Sequence, residues 1–213
     1  MSKLILFQGD SVTDARRSRE DDHFSGSGYP TLIKAELGFS EPGRYEFVNR
    51  GVGGNRIVDL YARIKVDLIN LKPDILSILI GINDVWHEVS FNNGVSASKF
   101  EKVYDLMLSE IKEALPDVRI FILEPFVLPG TATENTEECP ARWEYFCRET
   151  PLRAEASKRI AQKYDAAYIP LQHPFEEACR LAEPSYWLFD GVHPTAMGHE
   201  LIAREWIKAF YQE

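Results

Sequence analysis

At 213 residues the chain is long enough for a single α/β domain with a sizeable core, and its 45% hydrophobic and 12% aromatic content excludes a disordered polymer. The formal net charge of -9, with no block of Lys or Arg, excludes the electrostatic footprint of a nucleic-acid binder and favours a neutral substrate. No run approaches the roughly 20 apolar residues of a membrane-spanning helix, so no membrane partner is expected.

The first apolar run, Leu4 to Phe7, stops at Gln8-Gly9-Asp10. It is too short for a signal-peptide core and no small-residue cleavage site follows, which predicts a cytoplasmic protein. Its unbroken apolar character is that of a strand covered on both faces in a parallel sheet. Tyr45 to Val48 alternates, as a strand nearer an edge does. Ile57, Leu60, Tyr61, Ile64 and Leu68 recur at helical spacing. Ile75 to Ile80 is a third strand, interrupted only by Ser77. A capping box from Ser98 to Glu101 predicts the start of a helix whose apolar positions are Phe100, Val103, Tyr104, Met107 and Ile111.

Arg119 to Glu124 is a fourth strand. The stretch from Pro125 to Glu149 carries Pro129, Gly130 and Pro140 and no strong period, so it is expected to serve as a lid or as a contact in a homo-oligomer. Thr150-Pro151 predicts the opening of a helix reaching Tyr164, because proline suits the first helical position. Ala167 to Pro170 is a short strand and Thr195 to Phe210 a closing helix. This alternation predicts one domain over residues 1–213, a parallel sheet with helices on both faces. Three cysteines, Cys139, Cys147 and Cys179, follow no metal-site spacing and read as free thiols.

Four short segments adjoin predicted strand ends or the last helix. In an open parallel sheet, ligands bind beyond the carboxyl ends of the strands, so segments distant in sequence meet there. Gly9-Asp10-Ser11-Val12-Thr13-Asp14 follows the first strand and presents a serine on a turn. Asn49-Arg50-Gly51-Val52-Gly53-Gly54-Asn55-Arg56 follows the second, with glycines that let a ligand approach the backbone closely. Its spacing fits neither the P-loop nor the dinucleotide fingerprint. Gly81-Ile82-Asn83-Asp84 offers a neutral amide donor or a helix cap. Asp190-Gly191-Val192-His193 places an acid where it can orient an imidazole. Taken singly, the glycine-rich segment reads equally well as a plain turn, and the other three read better as turn or cap chemistry. Together they supply nucleophile, base, orienting acid and oxyanion donors, the parts of an acyl-transfer site.

Read this way, the four segments resemble the four sequence blocks of the SGNH (GDSL-like) hydrolases, from about Lys3 to Phe210. The serine block has Val12 where the family commonly has leucine. The resemblance implies a three-layer α/β/α sandwich with about five parallel strands, flavodoxin-like in outline. It implies Ser11 as nucleophile, His193 as base and Asp190 as its orienting acid. The oxyanion hole would be the N–H groups of Ser11 and Gly54 with the Asn83 amide, and no metal or cofactor is needed. Gly26-Ser27-Gly28-Tyr29 and Val85-Trp86 after Asn83 are similar to the intracellular acetylxylan-esterase branch, implying acetyl esters of sugars as substrates.

Asp10, Tyr29, Trp86, His87 and Trp187 are the residues expected to contact substrate, with core packing or a turn as the rival reading of each. His23, His173 and His199 are expected at the surface or in packing. Lysophospholipase or thioesterase activity is the nearest alternative. A metal-dependent phosphoesterase using Asp10, Asp14, Asp190 and His193 is a rival from another class, as is a non-catalytic carbohydrate-binding or scaffold protein.

Overall fold

The computed structural model describes residues 2–212. Five strands, β1 (Lys3–Gly9), β2 (Tyr45–Asn49), β3 (Ile75–Leu79), β4 (Arg119–Leu123) and β5 (Ala167–Ile169), pair in parallel in the order β2-β1-β3-β4-β5. The helices are α1 (Ser11–Asp14), α2 (Tyr29–Ser40), α3 (Ile57–Asp67), α4 (Ile82–Phe91), α5 (Ala97–Ala114), α6 (Arg142–Lys163), α7 (Gln172–Ala178), α8 (Pro184–Trp187) and α9 (Ala196–Tyr211). The result is a parallel sheet between two helical layers, the three-layer architecture that the resemblance implies.

Strand alternation divides the core in two. Ile5, Phe7 and Phe121 face α2 and α9, meeting Tyr29, Ile33, Ile202 and Trp206. Leu6, Leu76, Ile78 and Ile120 face α3, α5 and α6, meeting Leu60, Tyr104, Met107 and Ile160. Burial on both faces is why β1, β3 and β4 are almost wholly apolar, whereas edge strand β2 keeps its alternation. The interruption at Ser77 has a partner: its Oγ accepts the indole N–H of Trp206 at 3.1 Å. Trp206 is fully buried and packs on Phe7, Phe121 and Phe210, with ring centroids 6.0, 4.9 and 5.1 Å away.

The predicted strands stand where expected to within two residues, but three helical expectations change. The helix expected to open at Pro151 begins at Arg142, and Pro151 lies inside it. Buried Phe146, Thr150, Arg153, Ser157 and Ile160 recur three and four apart, and this continuous buried seam carries the helix through the missing N–H. Residues 142–149 therefore leave the irregular stretch. Helix α5 starts at Ala97 with Ser96 as cap residue, so Ser98 is already inside and forms no capping box. Helices α1, α2 and α4 overlap the glycine-rich and polar motifs, whose turn chemistry concealed them. Among the described residues no helix is long and apolar enough to cross a membrane, and all three cysteines are free thiols.

Removing the Trp206 side chain empties the centre of one core layer. Trp206→Ala is expected to cost about 3–5 kcal/mol, read as a lower urea midpoint. A midpoint unchanged from the native protein would show that α9 is not held by this residue.

Candidate active site

The sheet order reverses direction at β1: the chain passes from β1 outward to β2, then returns to the other side of β1 for β3. Such a switch point opens a crevice at the strand ends. There Gly9 of β1 lies opposite Leu79 of β3, so the segments that follow, Asp10-Ser11 and Gly81 to Asn83, leave the sheet side by side. The glycine-rich segment is laced onto the serine segment. The Asn49 amide donates to the carbonyls of Thr13 (2.6 Å) and Ser25 (2.9 Å), and Gly53 N–H donates to Asp14 Oδ2 at 3.0 Å.

Ser11 opens α1, and its Oγ lies 2.9 Å from His193 Nε2. His193 Nδ1 lies 2.7 Å from Asp190 Oδ2, while Asp190 Oδ1 accepts the N–H groups of Val192 (2.9 Å) and His193 (2.8 Å). Two backbone donors thus fix one carboxylate oxygen and leave the other for the imidazole. Burial alone would push the Asp190 carboxyl up; the hydrogen bonds from His193 and Val192 outweigh it and hold the value below normal. The hydrogen bond that His193 donates to Asp190 raises the imidazole above its ordinary value, overcoming the opposing effect of burial.

Part of the irregular stretch braces this turn. Leu128 N–H donates to Gly191 O and Ala132 N–H to Asp190 O, each at 2.9 Å. The Thr133 hydroxyl, fully buried, donates to Leu128 O at 2.9 Å. The expectation of a lid or subunit contact did not include this inward-facing role.

Gly54 sits at φ +81, a left-handed conformation suited to glycine, and its N–H has no partner among the described residues. Asn83 lies in the first turn of α4, and its Nδ2 donates to Asn55 O at 3.1 Å, leaving its second N–H unassigned. Buried Asp84 binds the two donor segments together: its carboxylate accepts Ile57 N–H at 3.1 and 3.2 Å, fastening the start of α3 to α4. Desolvation pushes its carboxyl well above the ordinary range.

Five residues were expected to meet substrate, and the structure separates them. Tyr29 is 0% exposed, in edge-to-face contact with Phe7, its hydroxyl 3.0 Å from Thr13 Oγ1; no sugar reaches it. Asp10 is 1% exposed and caps α1 by accepting Val12 N–H at 3.0 Å, so it too is not a contact residue. Both are corrections, and both follow from inward-facing positions at the start of α2 and the end of β1. Trp86 lies against His193, ring centroids 5.6 Å apart. His87 turns toward Phe91 instead, and Trp187 packs edge-on against Tyr186; neither lines the cavity beside Ser11.

That cavity, of about 540 Å³, is bounded by Ser11, His193, Phe189, Arg16, Ser27 and His199, among others. Phe189 escaped the sequence reading, and His199 was expected only at the surface or in packing. Phe189 lies nearly parallel to the His193 ring, centroids 5.7 Å apart. A signal for His199 existed: it shares the buried face of α9 with Ile202, Ala203 and Trp206, where a histidine needs a partner. The rival metal set does not assemble. Asp10 caps a helix, Asp14 pairs with Arg19, and Asp190 is taken by His193. Among the described residues no three His, Cys, Asp or Glu side chains are arranged to hold a metal.

The sequence model of the GDSL-like lipase/acylhydrolase family matches residues 7–201. An acetylxylan esterase of Geobacillus stearothermophilus is 32% identical over 212 residues, covering 96% of this chain and 92% of the relative. A GDSL-like lipase candidate from Parabacteroides merdae superposes with a TM-score of 0.89 at 31% identity, over 98% of this chain and 96% of that one. The acetylxylan esterase Axe2 of G. stearothermophilus superposes at 0.84 with 29% identity, over 99% and 95%. Variants of Axe2 that replace a serine or an aspartate by alanine are described as its catalytic mutants.

A base must be neutral to accept a proton, so kcat/KM is expected to rise with pH through a midpoint above the ordinary histidine value of about 6.5. Asp190→Asn should lower that midpoint and reduce kcat by about 10³–10⁴. A midpoint unmoved by the substitution would count against the pairing of Asp190 with the base. Burial raises the Asp10 carboxyl to about 7. The folded state therefore holds this proton more tightly than the unfolded chain, whose aspartates titrate near ~3.9, and stability falls as pH climbs between the two values. Asp10→Asn keeps an oxygen for Val12 N–H. Its gain in melting temperature should be larger at pH 8 than at pH 5; equal gains would contradict the assignment.

Proposed function

Because the chain belongs to the GDSL-like lipase/acylhydrolase family and is a carboxylic ester hydrolase, we propose that it removes acetyl groups from carbohydrates such as acetylated xylo-oligosaccharides by a Ser-His-Asp acyl-enzyme route. The observation that carries the reading is the unbroken hydrogen-bonded series from Ser11 Oγ through His193 to Asp190, at 2.9 and 2.7 Å.

Ser11 Oγ attacks the ester carbonyl as its proton passes to His193 Nε2. The imidazolium so formed is stabilised by Asp190, whose fixed carboxylate also sets the tautomer. Negative charge develops on the former carbonyl oxygen, and the N–H groups of Ser11 and Gly54 and the Asn83 amide are its donors. His193 then returns the proton to the departing alcohol, leaving an acetyl ester on Ser11. Water, deprotonated by His193, reverses the sequence and releases acetate. The names of the similar acetylxylan esterases support acetyl as the acyl group and a sugar as the alcohol. The partner so proposed is a neutral small molecule, consistent with the acidic chain.

The test is acetate release from acetylated xylo-oligosaccharides and other acetylated sugars. Native protein is expected to release acetate and Ser11→Ala to release none. Asn83→Ala should lower kcat by about 10²–10³, the usual loss for one oxyanion donor, with the fold intact by circular dichroism. Failure of the native protein on every acetylated sugar, with phenyl acetate still cleaved, would remove the carbohydrate reading. Near-native kcat in Asn83→Ala would remove that donor alone.

A further inference from the structure

His199 forms the inner wall of the cavity that Ser11 and His193 also bound. It is 8% exposed, yet no acid accompanies it. Its Nδ1 accepts Tyr29 N–H at 3.2 Å, satisfying the first backbone donor of α2, whose cap residue Gly28 has no side chain to do so. The approach is close: a Cβ on Gly28 would stand 3.0 Å from His199 Cε1 and 3.3 Å from Nδ1.

This hydrogen bond decides the tautomer. A backbone N–H can only donate, so Nδ1 must be the bare nitrogen and the proton must reside on Nε2. Burial, reinforced by the nearby His193, lowers the imidazole to about 4, so the ring stays neutral wherever His193 is an effective base. Nε2 has no partner among the described residues and is not among their sealed, unsatisfied atoms. The cavity therefore contains a donor of fixed position and fixed charge. Ser27 complements it, because its hydroxyl hydrogen goes to Ala15 O at 3.2 Å and its oxygen remains an acceptor. Apolar Phe189, Pro194 and Ala196 form other parts of the wall.

The cavity adjoins His193, which must protonate the departing oxygen, and its lining includes neither Gly54 nor Asn83. It thus lies where the alcohol half of the ester belongs. We propose that His199 Nε2–H is a specificity-determining donor to a hydroxyl or ring oxygen of that alcohol, selecting polyol esters over alkyl or aryl esters. The inference rests on the carbohydrate reading given above and deepens it. An alkyl or aryl alcohol would desolvate the N–H without replacing its water, a penalty an oxygen-bearing ring avoids.

Two amides separate this role from helix capping. In His199→Asn the side-chain oxygen lies close to where Nδ1 was and can still accept Tyr29 N–H, but nothing reaches the position of Nε2. In His199→Gln the terminal amide reaches that position and the nearer acceptor is lost. The reading is kcat/KM for acetylated xylobiose divided by kcat/KM for phenyl acetate. This ratio is expected to fall roughly 10- to 100-fold in His199→Asn and to stay within about threefold of native in His199→Gln. The melting temperature should drop more in the Gln variant. The opposite order, with Gln impaired and Asn native-like, or a ratio unchanged in both, would overturn the proposal and leave His199 as a cap. If the native protein cleaves phenyl acetate but no sugar ester, the carbohydrate reading itself fails and this assignment falls with it.

Discussion

Parallel pairing of β1 with β3, with Gly9 beside Leu79, is the constraint on which the active-site arrangement depends. Because the chain leaves β1 for one side and comes back for the other, a crevice opens beyond the two strand ends. The serine segment and the Asn83 segment emerge into that space from neighbouring strands, and the glycine-rich segment joins them from β2. Slipping the β1–β3 register by one residue would exchange the faces of Ile5, Leu6 and Phe7, moving apolar groups between two layers built for different partners. The core thus fixes the register, and the register fixes the spacing of the chemistry.

Around that crevice the protein manages charge by burial and by backbone donors more than by ion pairs. Asp190 stays anionic because two N–H groups and an imidazole address it. Asp10 and Asp84 are more deeply buried, and desolvation outweighs the backbone N–H groups they accept, those of Val12 and Ile57 among them, so both are pushed toward the neutral form. His199, without a carboxylate, is pushed the other way. Three acids and two histidines therefore hold different protonation states within one small region, set by the depth of burial of each against the hydrogen bonds and charges it meets.

Much of this was legible in the sequence, for identifiable reasons. The buried strands announced themselves because covering both faces demands unbroken apolar runs. The blocks around Ser11, Gly54, Asn83 and His193 were visible because turn-forming residues there interrupt the periodic pattern. What stayed hidden depended on orientation. Whether Tyr29 faces a ligand or Phe7 is set by the direction in which α2 starts, and the same residue type suits both. Pro151 looked like a helix start because its local preference is real; the seam from Phe146 to Ile160 that overrides it spans four turns. His199 was read only as a surface or packing group because its position needs Gly28, 171 residues away, to make room for the ring.

Ser11 and His193, the proposed nucleophile and base, are 182 residues apart, and Asp190 and His193 come just before the last helix. A growing or refolding chain thus carries Ser11 long before it carries a group able to activate it. The turn bearing Asp190 is held against residues 128–132, and α9 is anchored in the core by Trp206. On the proposed roles, hydrolysis waits on the placing of residues 190–193, and a chain in which that turn is out of position lacks the base. The appearance of turnover would mark the closing of the structure more sharply than the growth of helical signal.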